Sequence, residues 1–196
     1  QQKIPGTIGL VVPSLSDLSA RLRNVARNLN ETAFSFESDS TSIDITCPWG
    51  NQIICTEPEY GSSPMVLGIH YINFDVPVGT SEKIGEFYSG ILQASVEPLK
   101  GADGICVTVG NGQSLRFQET LKEIPAYDGH HIAIYLKEFN EVYSSLDRLG
   151  LVTEVSSDFQ YRFEDIVDLS TGKSVLKLEH EVRDVARPMF QRDLIN

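Results

Sequence analysis

Hydrophobic residues along this chain follow two spacings that alternate in a regular order. Short apolar or alternating runs at 7–12, 67–76 and 130–136 predict strands. After each run, apolar residues recur three and four positions apart, which predicts an amphipathic helix. Further strand-like runs then complete each unit. The pattern therefore predicts three successive units, each with the order strand, helix and three strands.

The predicted closing strands of the three units share a short signature. Segments 51–57, 113–119 and 173–179 each include or follow a glycine-containing turn, and each ends in glutamate. These glutamates, at positions 57, 119 and 179, stand 62 and then 60 residues apart. A constant spacing of this length is typical of an internal structural repeat.

Composition narrows the choice of partners. Hydrophobic residues make up 41% of the 196 residues, which is enough to bury one sizeable core or two small ones. Asp and Glu outnumber Lys and Arg by 27 to 16, and the sequence contains no basic cluster. Such a charge repels nucleic acids and anionic membranes, and no apolar run has the length of a membrane span. Small molecules or protein partners are therefore expected.

Three cysteines, Cys47, Cys55 and Cys106, have no metal-binding spacing and lie in apolar segments. They predict buried thiols in a reducing compartment, and hence a cytoplasmic protein. The chain begins at Gln1, as expected of a processed chain or of a piece of a longer protein.

The order of elements, with a histidine opening one unit and glutamates closing the strands, resembles the vicinal oxygen chelate superfamily of glyoxalases, bleomycin resistance proteins and extradiol dioxygenases. Residues 131–139 are similar to the first strand and strand-to-helix turn of those proteins. Residues 164–172 and the following strand resemble their closing hairpin. The resemblance implies an α+β fold of tandem βαβββ modules, paired into curved mixed sheets that form a cup. One scaffold supports many chemistries in this superfamily, so the resemblance indicates the fold more specifically than the activity.

Three modules are an odd number for a fold that pairs them. We expect the second and third modules to form one glyoxalase-like domain over residues 66–183. The first module, at 1–60, is then expected to pair with a module missing from this chain or with another subunit in a homodimer. Residues 184–196 are expected to form a C-terminal extension. This arrangement resembles the last three quarters of a two-domain dioxygenase-like protein, and it leaves open whether the chain is a fragment of a four-module protein.

The resemblance also implies a divalent metal, Fe, Mn, Zn or Ni, held by histidines of the first strands and glutamates of the closing strands. Carried over by position, the candidate ligands are His70, Glu119, His131 and Glu179. A metal with open coordination positions binds two neighbouring oxygens of a substrate. The chain would then be a lyase, an isomerase or a dioxygenase that acts on a small molecule with vicinal oxygens.

Side-chain alternation tests these candidate ligands. His131 opposes the apolar face of its strand and is expected in the cup, whereas His70 shares the apolar face of its strand and is expected on the helix side unless a bulge intervenes. Glu119 lies on the apolar face of its strand and Glu179 on the polar face of its own, so the two acids reach the same side only with an offset. Glu179 can equally form an ion pair with Lys177.

Two other functions fit the same sequence. The first is a non-catalytic protein that binds or sequesters a small apolar or aromatic ligand in the cup. Its candidate ligand-contacting residues are Tyr71, Asn73, Phe117, Tyr135 and Tyr161. The second is a structural subunit that uses the unpaired first module for assembly. The metal-dependent enzyme is the preferred hypothesis, because both the module order and His131 support it.

Overall fold

The computed structural model describes residues 2–58 and 65–190 of the chain. The first module consists of β1 (Gly6–Val11), α1 (Leu15–Ala26), β2 (Ser35–Ser38), β3 (Ser42–Thr46) and β4 (Gln52–Thr56). The second consists of β5 (Gly68–Pro77), α2 (Ser81–Gly90), β6 (Val96–Pro98), β7 (Gly104–Gly110) and β8 (Gln113–Thr120). The third consists of β9 (His131–Leu136), α3 (Phe139–Arg148), β10 (Val152–Ser157), β11 (Gln160–Val167) and β12 (Ser174–Asp184). The predicted α+β class and βαβββ order are confirmed.

The strands form two open sheets with mixed pairings. Sheet A has the order β2-β3-β4-β1-β5-β8-β7-β6, and sheet B has the order β10-β11-β12-β9. In every module the first strand pairs in parallel with the closing strand. Strands β1 and β5 also pair with each other in antiparallel fashion, and this pairing joins the first two modules in sheet A.

This pairing determines which modules share a sheet. The strands of the first and second modules form sheet A, and those of the third module form sheet B. Close backbone approach accounts for the pairing of β1 with β5. A Cβ atom on Gly6, where φ is 142°, would lie 2.0 Å from the carbonyl oxygen of Asn73. Glycine at this position therefore lets the two strands meet.

The chain divides into two compact units. The first unit contains the segments up to Glu82 and from Ala94 to Asp128, and the second contains Lys83–Gln93 and the segment from Gly129 onward. Helix α2 belongs to the second module in sequence, but its residues from Lys83 onward belong to the second unit, where Phe87 and Tyr88 contact sheet B. The ring of Phe87 lies 5.9 Å from that of Phe163.

Each unit has its own apolar core. In the first unit, α1 packs over buried residues of β3 and β4, which are Ile43, Ile45 and Cys55. Burial raises the pKa of the Cys55 thiol, and the charge of Asp44 raises it further. Cys47 and Cys106 are half-buried, and all three thiols are free.

The core of the second unit follows the helical spacing of α3. The residues that α3 buries are Phe139, Val142 and Leu146, which lie on one face of the helix. The ring of Phe139 packs 4.7 Å from that of Tyr161 on β11. Of the expected C-terminal extension at 184–196, residues 191–196 lie outside the described residues, as do residues 59–64. In the part of the chain that the structure describes, no helix is long and apolar enough to cross a membrane.

Candidate functional site

Sheet A has one apolar face and one polar face. Alternation along β5 and β8 buries Phe74, Val76, Leu115 and Phe117 on the apolar face. The strand register places the intervening residues in rows on the opposite face, which we call the polar face of sheet A. Its central residues are Thr7, Gly9, Gln52, Ile54, Tyr71, Asn73, Asp75, Ser114, Arg116 and Gln118.

Tyr71 is held between Gly9 and Arg116 on this polar face. A Cβ atom on Gly9 would lie 2.2 Å from the Tyr71 ring, so only glycine leaves space for the ring at this position. On the other side of the ring, the guanidinium carbon of Arg116 lies 3.7 Å from the ring centroid, which is a cation–π contact. Burial raises the pKa of the Tyr71 phenol, although the charge of Arg116 acts in the opposite direction. The phenol is therefore protonated at neutral pH and the guanidinium is fixed above it.

Asn73 is a buried polar residue beside this stack. The residue is only 9% exposed, and its register partners are Thr7 on β1 and Arg116 on β8. The Asn73 amide makes no side-chain hydrogen bond to another described residue. Among the described residues, the fully enclosed side-chain polar atoms without a partner are Ser19 Oγ and Arg162 Nε, so the Asn73 amide keeps an accessible edge. Two positions along β5, burial raises the pKa of Asp75 while Lys122 lowers it.

Polar residues of sheet A provide a poor donor set for a divalent metal. The first-strand positions that correspond to His131 are occupied by Thr7 and Tyr71, and the residues that face them on the closing strands are Gln52 and Ser114. The next closing-strand residues on this face are Ile54 and Arg116. None of these closing-strand side chains is a carboxylate, an imidazole or a thiolate, so they do not fit the implied metal.

His70 lies away from this row. Its Nδ1–H donates to the carbonyl oxygen of Gly112 at 2.8 Å, which ties β5 to the turn between β7 and β8. The imidazole also contacts the edge of the Tyr71 ring, with the centroids 5.8 Å apart. In this structure His70 links β5 to the hairpin formed by β7 and β8.

Glu119 caps helix α2. Its Oε1 accepts hydrogen bonds from the backbone N–H of Ser81 at 3.1 Å and from the Ser81 hydroxyl at 2.6 Å. These bonds, together with others from the same turn, lower the pKa of Glu119. In the first module, Glu57 Oε1 likewise accepts from the N–H of Leu15 at 2.7 Å, at the start of α1. The two glutamates are therefore equivalent and stabilise the N-terminus of a helix.

We expect Glu119→Ala to lower the free energy of unfolding by about 1 kcal/mol, because it removes an acceptor from the first turn of α2. Urea unfolding of the variant and the parent protein measures this loss. The matched control is Glu123→Ala, since Glu123 is exposed in the following loop and should change stability little. Equal urea midpoints for Glu119→Ala and the control would contradict the capping role.

Glu179 is not equivalent to the helix-capping residues Glu57 and Glu119. In β12 the residue in register with the end of the first strand, Leu136, is Asp184, whereas Glu179 pairs with His131 at its beginning. The closing strand of the third module has 11 residues and that of the second has 8, so the same sequence signature occurs at a different register. The spacing of 60 residues between Glu119 and Glu179 therefore does not connect equivalent sites.

The polar face of sheet B carries His131 and a network of charged residues. His131 is exposed and lies beside Glu179 in the register, opposite the buried Ile132 and Ile134. Arg162 forms ion pairs with two carboxylates. Its Nη1 lies 2.6 Å from an oxygen of Glu179, and its Nη2 lies 2.6 Å from an oxygen of the buried Glu181.

The same network continues through Arg183. Its guanidinium pairs with Glu181 and lies 5.7 Å from the centroid of the Tyr135 ring. Arg162 and Arg183 thus form ion pairs with Glu179 and Glu181, the carboxylates on the same face as His131. Within residues 2–58 and 65–190, no group of three or more His, Cys, Asp or Glu side chains is arranged to hold a metal ion.

The predicted ligand-contacting residues differ in the sheet that carries them and in their exposure. Tyr71 and Asn73 share the polar face of sheet A, and Tyr135 lies on the polar face of sheet B. Phe117 is fully buried and stacks on Phe74 at 5.5 Å, and Tyr161 is 1% exposed within the core of the second unit. Phe117 and Tyr161 therefore present almost no surface to a ligand in this structure.

Arg116 is the residue of this site that the sequence analysis missed. It lies between Leu115 and Phe117, which are both buried, so its side chain necessarily points to the opposite face of β8. The alternation of this strand was the available signal.

Comparisons with known proteins identify the fold. No protein-family model and no curated protein match the sequence. A solved structure of a protein assigned as a dioxygenase, from Bacillus subtilis, matches with a TM-score of 0.58 and 13% identity, over 93% of this chain and 62% of that chain. A variant of glyoxalase I from Zea mays matches with a TM-score of 0.59 and 12% identity, over 91% of this chain and 68% of that chain.

The chain thus spans 62% of the length of the Bacillus subtilis protein. At such low identities the likeness carries information about the fold only. The resemblance to glyoxalase and dioxygenase proteins that the sequence predicts is confirmed at that level: this chain has the fold of the vicinal oxygen chelate proteins.

Proposed function

We propose that this chain is a non-catalytic, small-molecule-binding protein on the glyoxalase scaffold, and that its ligand lies on the polar face of sheet A. The observation that carries the proposal is the buried amide of Asn73, which has no side-chain hydrogen-bond partner among the described residues. Because the amide keeps an accessible edge, it can bind water, and a bound molecule that pairs with it would replace that water with a hydrogen bond. A hydrogen bond of this kind contributes about 0.5–1.5 kcal/mol.

The residues around Asn73 support binding without a resident metal. A divalent cation on this face would have to approach the positive charge of Arg116, and the neighbouring Thr7 and Ser114 are weak ligands. The same residues offer several hydrogen-bond donors and acceptors to an organic molecule. A few polar groups held in fixed positions can orient a bound ligand and provide specificity.

A fragment screen followed by protein NMR tests this proposal. We expect binding fragments to shift the side-chain amide signals of Asn73, and we expect Asn73→Leu to abolish these shifts because it removes the amide at similar volume. Asn140→Leu is the matched control, since Asn140 is exposed on α3. Fragments that bind only on sheet B, or only after a divalent metal is added, would refute the proposal.

A second candidate function is the metal-dependent lyase, isomerase or dioxygenase. The observation that favours it is the register pairing of His131 with Glu179 on one face of sheet B. Elemental analysis of protein purified without chelator separates the two functions. We expect substoichiometric Fe, Mn, Zn and Ni, because Arg162 holds Glu179. A stoichiometric metal that disappears in His131→Ala would establish the enzyme instead.

A further inference from the structure

We infer that the molecule bound on the polar face of sheet A carries an oxyanion, a carboxylate or a phosphate, and that Arg116 binds this group. The inference rests on the proposed function and adds the chemical class of the ligand. It concerns Arg116, Tyr71, Asn73 and Gly9, all of which belong to the first unit.

Arg116 differs from the arginines of sheet B in having no acidic partner within residues 2–58 and 65–190. Arg162 pairs with Glu179 and Glu181, and Arg183 pairs with Glu181. Among the described residues, Arg116 forms no ion pair, although acidic residues outnumber basic ones by 27 to 16 in the chain. A half-buried guanidinium has lost part of its hydration and gains most from an anion that replaces it.

Stacking leaves the hydrogen-bond donors of Arg116 available. The guanidinium carbon lies 3.7 Å from the centroid of the Tyr71 ring, so the ring contacts a flat face of the group. The N–H bonds of a guanidinium lie in its plane and are not used by such a contact. Two parallel N–H groups match the two oxygens of a carboxylate or phosphate.

The stack itself is built into the strands. Tyr71 keeps its position because Gly9 has no side chain, and a Cβ atom there would lie 2.2 Å from the ring. Gly9 and Tyr71 are register partners on β1 and β5, which fixes the ring over rigid backbone. Gly9 and Tyr71 are therefore positioning residues, and they hold the guanidinium before any ligand arrives.

Asn73 provides a second donor at the same place. It is the register partner of Arg116 across β5 and β8. Neighbouring strands lie about 4.8 Å apart, so the amide of one side chain and the guanidinium of the other can bracket a single oxyanion. This arrangement uses the amide that lacks a partner within the described part of the chain.

The acids on the same face limit the size of the anion. Asp75 lies two residues beyond Asn73 on β5, and Asp44 is close enough to raise the pKa of Tyr71. Their charges would repel a polyanion that extends along the sheet in either direction. A compact ligand with one anionic group is therefore expected.

Calorimetric titration with three simple probes tests the inference. Benzoate and phenyl phosphate carry the two candidate oxyanions, and benzamide is the uncharged analogue of benzoate. We expect at least one anion to bind about tenfold more tightly than benzamide, because charge-assisted hydrogen bonds are stronger than those between neutral groups. The preferred anion identifies whether a carboxylate or a phosphate is recognised.

Variants show whether Arg116 is responsible. Arg116→Gln should weaken binding of the preferred anion about tenfold, and Arg116→Lys should keep part of it because the charge remains but the planar pair of donors is lost. The matched control is Arg148→Gln, on the exposed surface of α3. Circular dichroism and thermal unfolding verify that each variant is folded.

Three results would overturn the inference. One is equal affinity of Arg116→Gln and the parent protein for the anion. Another is equal affinity of the parent protein for benzoate, phenyl phosphate and benzamide. The third is binding of uncharged fragments at Asn73 without binding of either anion, which would leave the proposed function intact. If no molecule of any kind binds at Asn73, the proposed function itself is wrong.

Discussion

Lowering the pH from 7 to 4 is expected to reduce the free energy of unfolding by about 3 kcal/mol through one residue, His180. Its imidazole is fully buried in the second unit and stacks on Phe163, with the centroids 4.3 Å apart. The Nδ1–H donates to the carbonyl of Leu178 at 2.7 Å, and the Tyr88 hydroxyl donates to Nε2 at 2.6 Å. Both ring nitrogens are thus satisfied in the neutral form.

The direction of the effect follows from the pKa. Burial lowers the pKa of His180 from 6.5 to about 4, although the bond to Leu178 acts in the opposite direction. Between these two values the unfolded chain binds a proton that the folded chain does not. The contribution of His180 is therefore fully present above pH 6.5 and is lost as the pH falls to about 4.

Urea unfolding at several pH values between 7 and 4 measures this dependence. The double variant Tyr88→Phe with His180→Leu removes the imidazole and the hydroxyl together, so neither side chain is left with an unpaired polar group, although the carbonyl of Leu178 loses its side-chain donor. We expect it to lose most of the slope of stability against pH in this window. His131→Gln is the control and should keep the slope, because His131 is exposed. A double variant with the slope of the parent protein would show that His180 does not control acid stability.

Replacing Phe163 by alanine is expected to lower the free energy of unfolding by about 3–5 kcal/mol, the range for removing a large buried aromatic side chain. Phe163 is fully buried and contacts both His180 and Phe87. Its removal leaves a cavity where α2 meets sheet B. It also exposes the imidazole of His180 to water, so the dependence of stability on pH should become weaker as well.

The hairpin that carries Phe163 provides its own control. Phe159 lies at the start of the same hairpin and is 41% exposed, so Phe159→Ala should cost less than about 1 kcal/mol. Chemical unfolding at pH 7 and pH 5 compares the two variants. If Phe163→Ala and Phe159→Ala were equally stable, the core of the second unit would not depend on this ring.

Function on this fold depends on a few positions that local pattern does not distinguish. The three first strands share the same apolar alternation, yet they place Thr7, Tyr71 and His131 at corresponding positions. On the closing strands, Arg116 in the second module corresponds to Glu181 in the third. Exchanging an acid for a guanidinium changes the preferred ligand from a cation to an anion.

Much of the fold was predictable from the sequence, because strand and helix periodicity is a local property. The repeating order of elements, the exposed face of His131 and the opposite, buried face of His180 all follow from alternation along single strands. The same alternation placed Tyr71 and Asn73 together on one face of β5. These features require no knowledge of which strands are neighbours.

Which strands meet, and which charges pair, was decided only by the tertiary structure. Three modules with similar patterns could pair in several ways, and the contact of Gly6 and Gly9 with β5 selected the first and second. Contacts between residues far apart in the chain decide the roles of three side chains. Glu119 caps a helix, and Arg162 pairs with two acids. Arg116 is a cation without an acidic partner among the described residues. Periodicity is set by each strand alone, whereas these contacts are set by the register between strands.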